Sequence, residues 1–154
     1  MSHWYRIPRG ISVRELLART KQNIILDHSV PVELLMDLPG NLHSLANLRL
    51  DERLPCEKAV HLCQRSRGIL LTTDSAYISL LSTEIRIPWG LILLPESREA
   101  KCEALHRLST QNLAFRPGLE QHVLVELARH NRLFMDLRYN PPVISICCNS
   151  RWIS

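Results

Sequence analysis

Glycine is scarce in this chain, with five among 154 residues, while leucine is abundant at 27. That balance disfavours a turn-rich all-β domain and favours helices and packed strands. Paired cysteine spacings are missing as well. Cys56, Cys63, Cys102, Cys147 and Cys148 are odd in number and form no CxxC, so no disulfide framework is indicated. Cys56, His61 and Cys63 stand close in sequence, as the ligands of a metal site do. Cys56 and Cys63 also lie seven apart, which suits two small apolar residues on one helix face. No long hydrophobic run occurs. The longest, Trp89 to Leu94, is far too short to span a bilayer. Met1 to Arg9 has no apolar core of a secretory signal. Together these absences set the expectation of a reducing, cytoplasmic protein with no membrane partner. No P-loop, GxGxxG or Ser/His/Asp motif is present, which disfavours P-loop hydrolysis and dinucleotide binding. Aromatics are few, and Trp4, Tyr5, Trp89 and Trp152 are not grouped as a base-stacking platform.

What is present is one domain's worth of chain with a core-forming composition. Hydrophobic residues make up 45% and charged residues 22%, so disorder, collagen and coiled coil are poor readings of the whole. A chain of this size buries enough surface to fold without a covalent or metal staple. The net charge is +4, and sixteen of the nineteen cationic residues are Arg. Guanidinium forks match phosphate oxygens, and GC-rich codon usage yields the same bias. The excess is evenly spread, with +2 in residues 1–77 (10 − 8) and +2 in residues 78–154 (9 − 7). Charge therefore permits a nucleic-acid partner without requiring one.

The element pattern alternates. Residues 1–21 read as an N-terminal extension with a short helix from Val13 to Thr20, and residues 22–154 as a single domain. Asn23 to Leu26 is a buried strand stopped by Asp27. A helix capped by Ser29, with Pro31 in its first turn, is expected to run to Pro39-Gly40. Leu42 to Leu48 reads as a second strand, Cys56 to Ser66 as a helix, and Ile69 to Thr73 as a strand stopped by Asp74. A short helix over Ser75 to Ser82, a strand over Trp89 to Leu94 and a helix from Pro95 to about Leu108 follow. This alternation predicts an α/β domain with a parallel central sheet covered on both faces. Val123 to Leu127 and Leu133 to Tyr139 read as a hairpin turning at His130-Asn131, with one helix over the same stretch as the alternative, and Val143 to Cys148 as an edge strand.

Two core strands end in Asp. In an open α/β sheet, ligands bind beyond the carboxyl ends of the strands, which makes Asp27 and Asp74 candidate partners in one crevice. Glu57, at the start of a helix, is the third candidate. Placing it at that edge is expected to depend on the long connection from Arg49 to Pro55. Clustered carboxylates repel, and a cation relieves the repulsion. Hard oxygen donors select Mg²⁺ or Mn²⁺. On this reading Asp27→Asn is expected to raise the melting temperature of the metal-free protein. The plainer reading is that both aspartates cap the helices that follow.

Three stretches bear a family likeness: Ile25-Leu26-Asp27-His28-Ser29-Val30-Pro31, Pro55-Cys56-Glu57-Lys58-Ala59, and Gly68-Ile69-Leu70-Leu71-Thr72-Thr73-Asp74. Over residues 22–109 the chain resembles the PIN-like nucleases, in particular the small bacterial group of the toxin–antitoxin type. The first stretch resembles their strand-Asp-x-Asn-x-Pro motif, with Ser29 where the family often has Asn. The last resembles their Thr-x-Asp strand end. The resemblance implies a three-layer α/β/α fold with parallel strands in the order 3-2-1-4-5. It further implies a Mg²⁺- or Mn²⁺-dependent endoribonuclease, with Asp27, Glu57 and Asp74 as metal-binding and catalytic residues. Candidate substrate contacts are Ser29, Thr73, Ser75, Arg49 and Arg53. RNA is the implied substrate, an antitoxin protein the candidate partner and a homodimer the candidate assembly. The alternative is a non-catalytic PIN-like module that binds a protein or RNA. Its basis is Ala76, which stands where the family usually has a further Asp or Asn.

Overall fold

The computed structural model describes residues 11–35, 42–44, 56–82, 89–110, 112–113, 121–139, 143–148 and 151–153. Their centre is one seven-stranded sheet. Its strands are β2 (Asn23–Leu26), β3 (Leu42–Ser44), β4 (Gly68–Thr72), β5 (Gly90–Leu93), β7 (Arg132–Asp136), β8 (Val143–Cys148) and β9 (Arg151–Ile153). They stand in the order β3-β2-β4-β5-β7-β8-β9. The first five are parallel, and β8 and β9 add antiparallel at the β7 side. Beside this sheet, β1 (Ile11–Ser12) and β6 (Asn112–Leu113) form a two-stranded antiparallel ribbon.

Strand alternation divides the core into two layers, because successive side chains leave a strand on opposite faces. Ile24, Leu26, Ile69, Leu71, Ile92, Leu133 and Met135 face one layer, which is covered by α1 (Val13–Thr20), α3 (Arg98–Thr110) and α4 (Gln121–His130). Ile25, Leu70 and Leu91 face the other with Ala59, Val60 and Cys63 of α2 (Cys56–Ser66) and with Tyr77 and Trp89. Strands buried on both faces carry near-continuous apolar runs, and β4 is buried along its whole length.

Local chemistry sets the helix ends. Ser12 caps α1 by accepting from the Glu15 N–H at 3.1 Å, and Ser97 caps α3 by accepting from the Ala100 N–H at 3.2 Å. Lys21 closes α1 in the left-handed region, with φ 56°. Residues 11–20, read from sequence as part of an extension, bury Ile11, Val13, Leu16 and Leu17 in the main core. Gln22 Nε2 donates to the Ala128 carbonyl, and Arg129 Nη2 donates to the Arg19 carbonyl. These bonds tie the end of α1 to α4.

Three expectations are corrected. Val123 to Leu127 is helical, within α4, and not the first arm of a hairpin. Burial of Leu124, Val125 and Ala128 selects the helical spacing. Of the helix expected after Asp27, Val32–Leu35 forms a 3-10 turn, and residues 36–40 lie outside the described residues. Ser29 does not cap it, because its N–H and hydroxyl are bonded to Asp27 and Thr73. The five parallel strands, counted along the chain, stand in the order 2-1-3-4-5 among the described residues, where the resemblance implies 3-2-1-4-5. The observed order puts the Asp27 strand beside the Asp74 strand.

Candidate functional site at the carboxyl edge of the sheet

Strand order reverses between β2 and β4, and this is where an open α/β sheet leaves a crevice beyond its carboxyl edge. Asp27 follows β2 directly, and Asp74 follows β4 by one residue. The two acids sit in equivalent turns. Asp27 Oδ1 accepts from the Ser29 N–H at 2.6 Å, while its carbonyl accepts from the Val30 N–H. Asp74 Oδ1 accepts from the Ala76 N–H at 2.9 Å, while its carbonyl accepts from the Tyr77 N–H. One carboxylate oxygen of each acid thus closes a turn. Asp74 caps the 3-10 helix Ser75–Ser82, as the capping reading anticipates, whereas the turn at Asp27 ends before the 3-10 turn Val32–Leu35 begins.

Capping does not account for the rest. Asp27 is 3% exposed, and its second oxygen, Oδ2, accepts from the Thr72 hydroxyl at 2.7 Å. The same hydroxyl accepts from the Asp74 N–H at 3.0 Å. Thr72 is fully buried, so it links the two acidic turns through the interior. Ser29 makes a second link, with its hydroxyl accepting from the Thr73 N–H at 3.1 Å. Lys101 of α3 completes the frame by donating from Nζ to the Ser29 carbonyl at 2.8 Å. His28 turns toward its neighbour, with Nδ1 at 2.9 Å from Asp27 Oδ1.

Helix α2 begins at this edge. The charges of Asp74 and Asp27 act on the Cys56 thiol at its first residue. Its last residue, Ser66, accepts through its carbonyl from Asn23 Nδ2 at the opposite end of β2. The connection from Arg49 to Pro55, expected to carry Glu57 to this edge, lies outside the described residues. A helix that follows a parallel strand starts at that strand's carboxyl end. Glu57 is exposed in the first turn of α2. Burial pushes the Cys56 thiol up, the charges of Asp74, Glu57 and Asp27 push the same way, and a hydrogen bond with Tyr77 opposes them. Burial also raises the Tyr77 hydroxyl, reinforced by the negative charge of Asp27. Tyr77 thus stays neutral at ordinary pH, buried in the α2 layer beside Cys56.

Of the expected substrate contacts, Ser29 and Thr73 are joined to the acidic turns, and Ser75 is exposed at the start of the 3-10 helix Ser75–Ser82. Arg49 and Arg53 lie outside the described residues. Sequence reasoning missed Thr72, Tyr77 and Lys101. The signal for Thr72 was available: it is the first residue of the Thr-x-Asp stretch and, two along from Leu70, points into the α2 layer.

The donor set agrees in kind with a hard cation. A carboxylate offers about four lone-pair sites. The bonds from Ser29, His28 and Thr72 leave room on Asp27, and Ala76 occupies one site of Asp74. Mg²⁺ is commonly bound by one or two carboxylates together with waters and substrate phosphate. Among the described residues no group of three or more His, Cys, Asp or Glu side chains is placed to hold a metal ion. No described helix is long and apolar enough to cross a membrane. Compared with families of known proteins, with curated proteins and with solved structures, the chain matches none.

Proposed function

We propose that the crevice between β2 and β4 is a Mg²⁺- or Mn²⁺-dependent site for hydrolysis of RNA phosphodiesters, of the PIN-like kind, and that the protein acts as the toxin of a toxin–antitoxin pair. The observation that carries this reading is the Thr72 hydroxyl, which holds the Asp27 carboxylate and the Asp74 backbone in one fixed relation. A bound cation would stabilise charge on the phosphoryl group. Asp27 and Asp74 would hold it, with Glu57 the third carboxylate on the same side. Thr72 and Ser29 keep the acids in place so that no reorganisation is needed at the moment of reaction. Lys101 has further N–H donors beyond its bond to Ser29, and these would hold a phosphate oxygen of the RNA backbone. The cysteines Cys56, Cys63, Cys102 and Cys147 are free, in keeping with a reducing cytoplasmic setting.

Cleavage of a single-stranded RNA by purified protein tests the reading. Cleavage should need Mg²⁺ or Mn²⁺, stop in chelator and be abolished by Asp74→Asn. Activity that persists in chelator, or survives the substitution, overturns it. A second reading is favoured by Ala76, which brings only its N–H to Asp74. In it the site binds a cation and a partner without catalysis. The mark of that reading is Mn²⁺-dependent thermal stabilisation of the wild type with no cleavage.

A further inference from the structure

A third strand of the parallel sheet ends as β2 and β4 do. Asp136 closes β7, is 5% exposed, and accepts from the Arg138 N–H at Oδ1. Here the acid also grips a side chain. Arg138 Nε donates to Oδ1 at 3.0 Å and Nη2 donates to Oδ2 at 2.8 Å. This two-pronged pair fixes the guanidinium plane. The guanidinium carbon then lies 5.7 Å from the centre of the Tyr139 ring, within cation–π range. Tyr139 is 57% exposed. The result is an aromatic ring held out from the sheet edge by a buried anchor.

We infer that Tyr139, held by the Asp136–Arg138 pair, is a stacking platform for a base of single-stranded RNA. The inference rests on the proposed nuclease reading for its choice of ligand. Position supports it. β7 is two strands from β4 on the same carboxyl edge, about 10 Å away at the usual strand spacing, so a short single-stranded segment reaches from the acidic crevice to the ring. The surroundings favour a base over a protein surface. Among the described residues the exposed large hydrophobics are Val32 and Tyr139. Val32 follows β2, three strands from β7, so these residues form no apolar patch around the ring. A single ring with a guanidinium beside it suits one π-face. Because Asp136 neutralises Arg138, the platform contributes stacking and a hydrogen-bond donor at Nη1 but little net charge. Its contribution is therefore insensitive to salt, unlike that of a phosphate contact.

The test is binding of a fluorescently labelled, single-stranded ten-nucleotide RNA to the full chain in chelator, followed by anisotropy at several salt concentrations. Tyr139→Ala should weaken binding about five- to hundred-fold, the range for loss of one stacked base, with an unchanged salt slope. Tyr139→Trp should bind at least as well as the wild type. Asp136→Asn should weaken binding by releasing the anchor. Should that variant fail to fold, Arg138→Gln takes its place. Equal affinity of the wild type and Tyr139→Ala overturns the inference, as does absence of RNA binding by the wild type. Weakening that appears only as a reduced salt slope overturns it too, because it would assign a charge contact instead of stacking. Affinity for protein in place of RNA, lost with Tyr139→Ala, would make the ring a protein contact and also overturn it. The assay needs no cleavage. Tyr139-dependent binding without metal-dependent hydrolysis would sink the nuclease reading alone.

Discussion

Replacing Asp27 by Asn separates two accounts of the acidic edge, and the structure reverses the sign that carboxylate crowding suggests. On crowding alone, removing one charge stabilises the metal-free protein. In the fold, however, Asp27 accepts at both oxygens: from Ser29 N–H and His28 at Oδ1, and from Thr72 at Oδ2. Asn brings one acceptor and one donor group to the same place. With its oxygen toward Ser29, its amide faces the Thr72 hydroxyl. That hydroxyl must then give up its donor role in a fully buried position. With the amide reversed, two donors face each other at Ser29. Hydrogen bonds to a charged group contribute about 1.5–3 kcal/mol, and an unsatisfied buried donor costs about 1–3 kcal/mol. Relief of repulsion offsets part of this, leaving a net loss of about 2–4 kcal/mol. For a chain of this length that is a fall of about 5–15 °C in melting temperature. Thr72→Val should cost a similar amount, because it removes the donor to Asp27 and the acceptor of the Asp74 N–H. The double variant should lose at least about 1 kcal/mol less than the sum, since both changes break one network. Thermal and urea unfolding of the four proteins in chelator measure this. A higher melting temperature for Asp27→Asn would refute the hydrogen-bond argument and show that charge crowding outweighs the lost bonds. Millimolar Mn²⁺ extends the same experiment. It should stabilise the wild type by about 2.7 kcal/mol at a hundred times its dissociation constant, and the Asn variant little.

Two further outcomes are expected. Burial pushes the Cys63 thiol from 9.0 up to about 12. The folded thiol keeps its proton where the unfolded one loses it, so this stability is complete below pH 9 and is lost as pH rises toward 12. The slope is up to about 1.4 kcal/mol per pH unit. Cys63→Ala should flatten the loss measured by urea unfolding between pH 8 and 11, and an unchanged slope would contradict the assignment. Arg67, between α2 and β4, has a φ of 52°, where a residue with a Cβ is strained and Gly is not. Arg67→Gly should raise stability by about 0.5–1 kcal/mol in the same unfolding assay, and a loss would show that its side chain contributes more than the strain costs.

The elements legible in the sequence are those whose signal is local. Ile24-Ile25-Leu26 and Ile69-Leu70-Leu71 are apolar runs halted by polar residues, and such runs become strands buried on both faces whatever lies beside them. The stripe of Ala59, Val60 and Cys63 identifies α2 in the same way. Their alternation entails a parallel sheet, because parallel strands need crossovers. Residues 121–130 defeat such reading. Apolar residues at 123, 124, 125, 127 and 128 fit a partial period of two and also a helix, and packing against α1 and the sheet decides for the helix. The site divides along the same line. That Asp27 and Asp74 end core strands is local information, and so is the turn each one closes. That β2 lies beside β4 with Leu26 opposite Leu71 depends on contacts between residues more than forty apart. Only that register sets the Thr72 hydroxyl against Asp27 and joins the two strand ends. Pairing over that distance depends on which faces bury most surface against one another, a property of the assembled layers and of no short stretch of sequence.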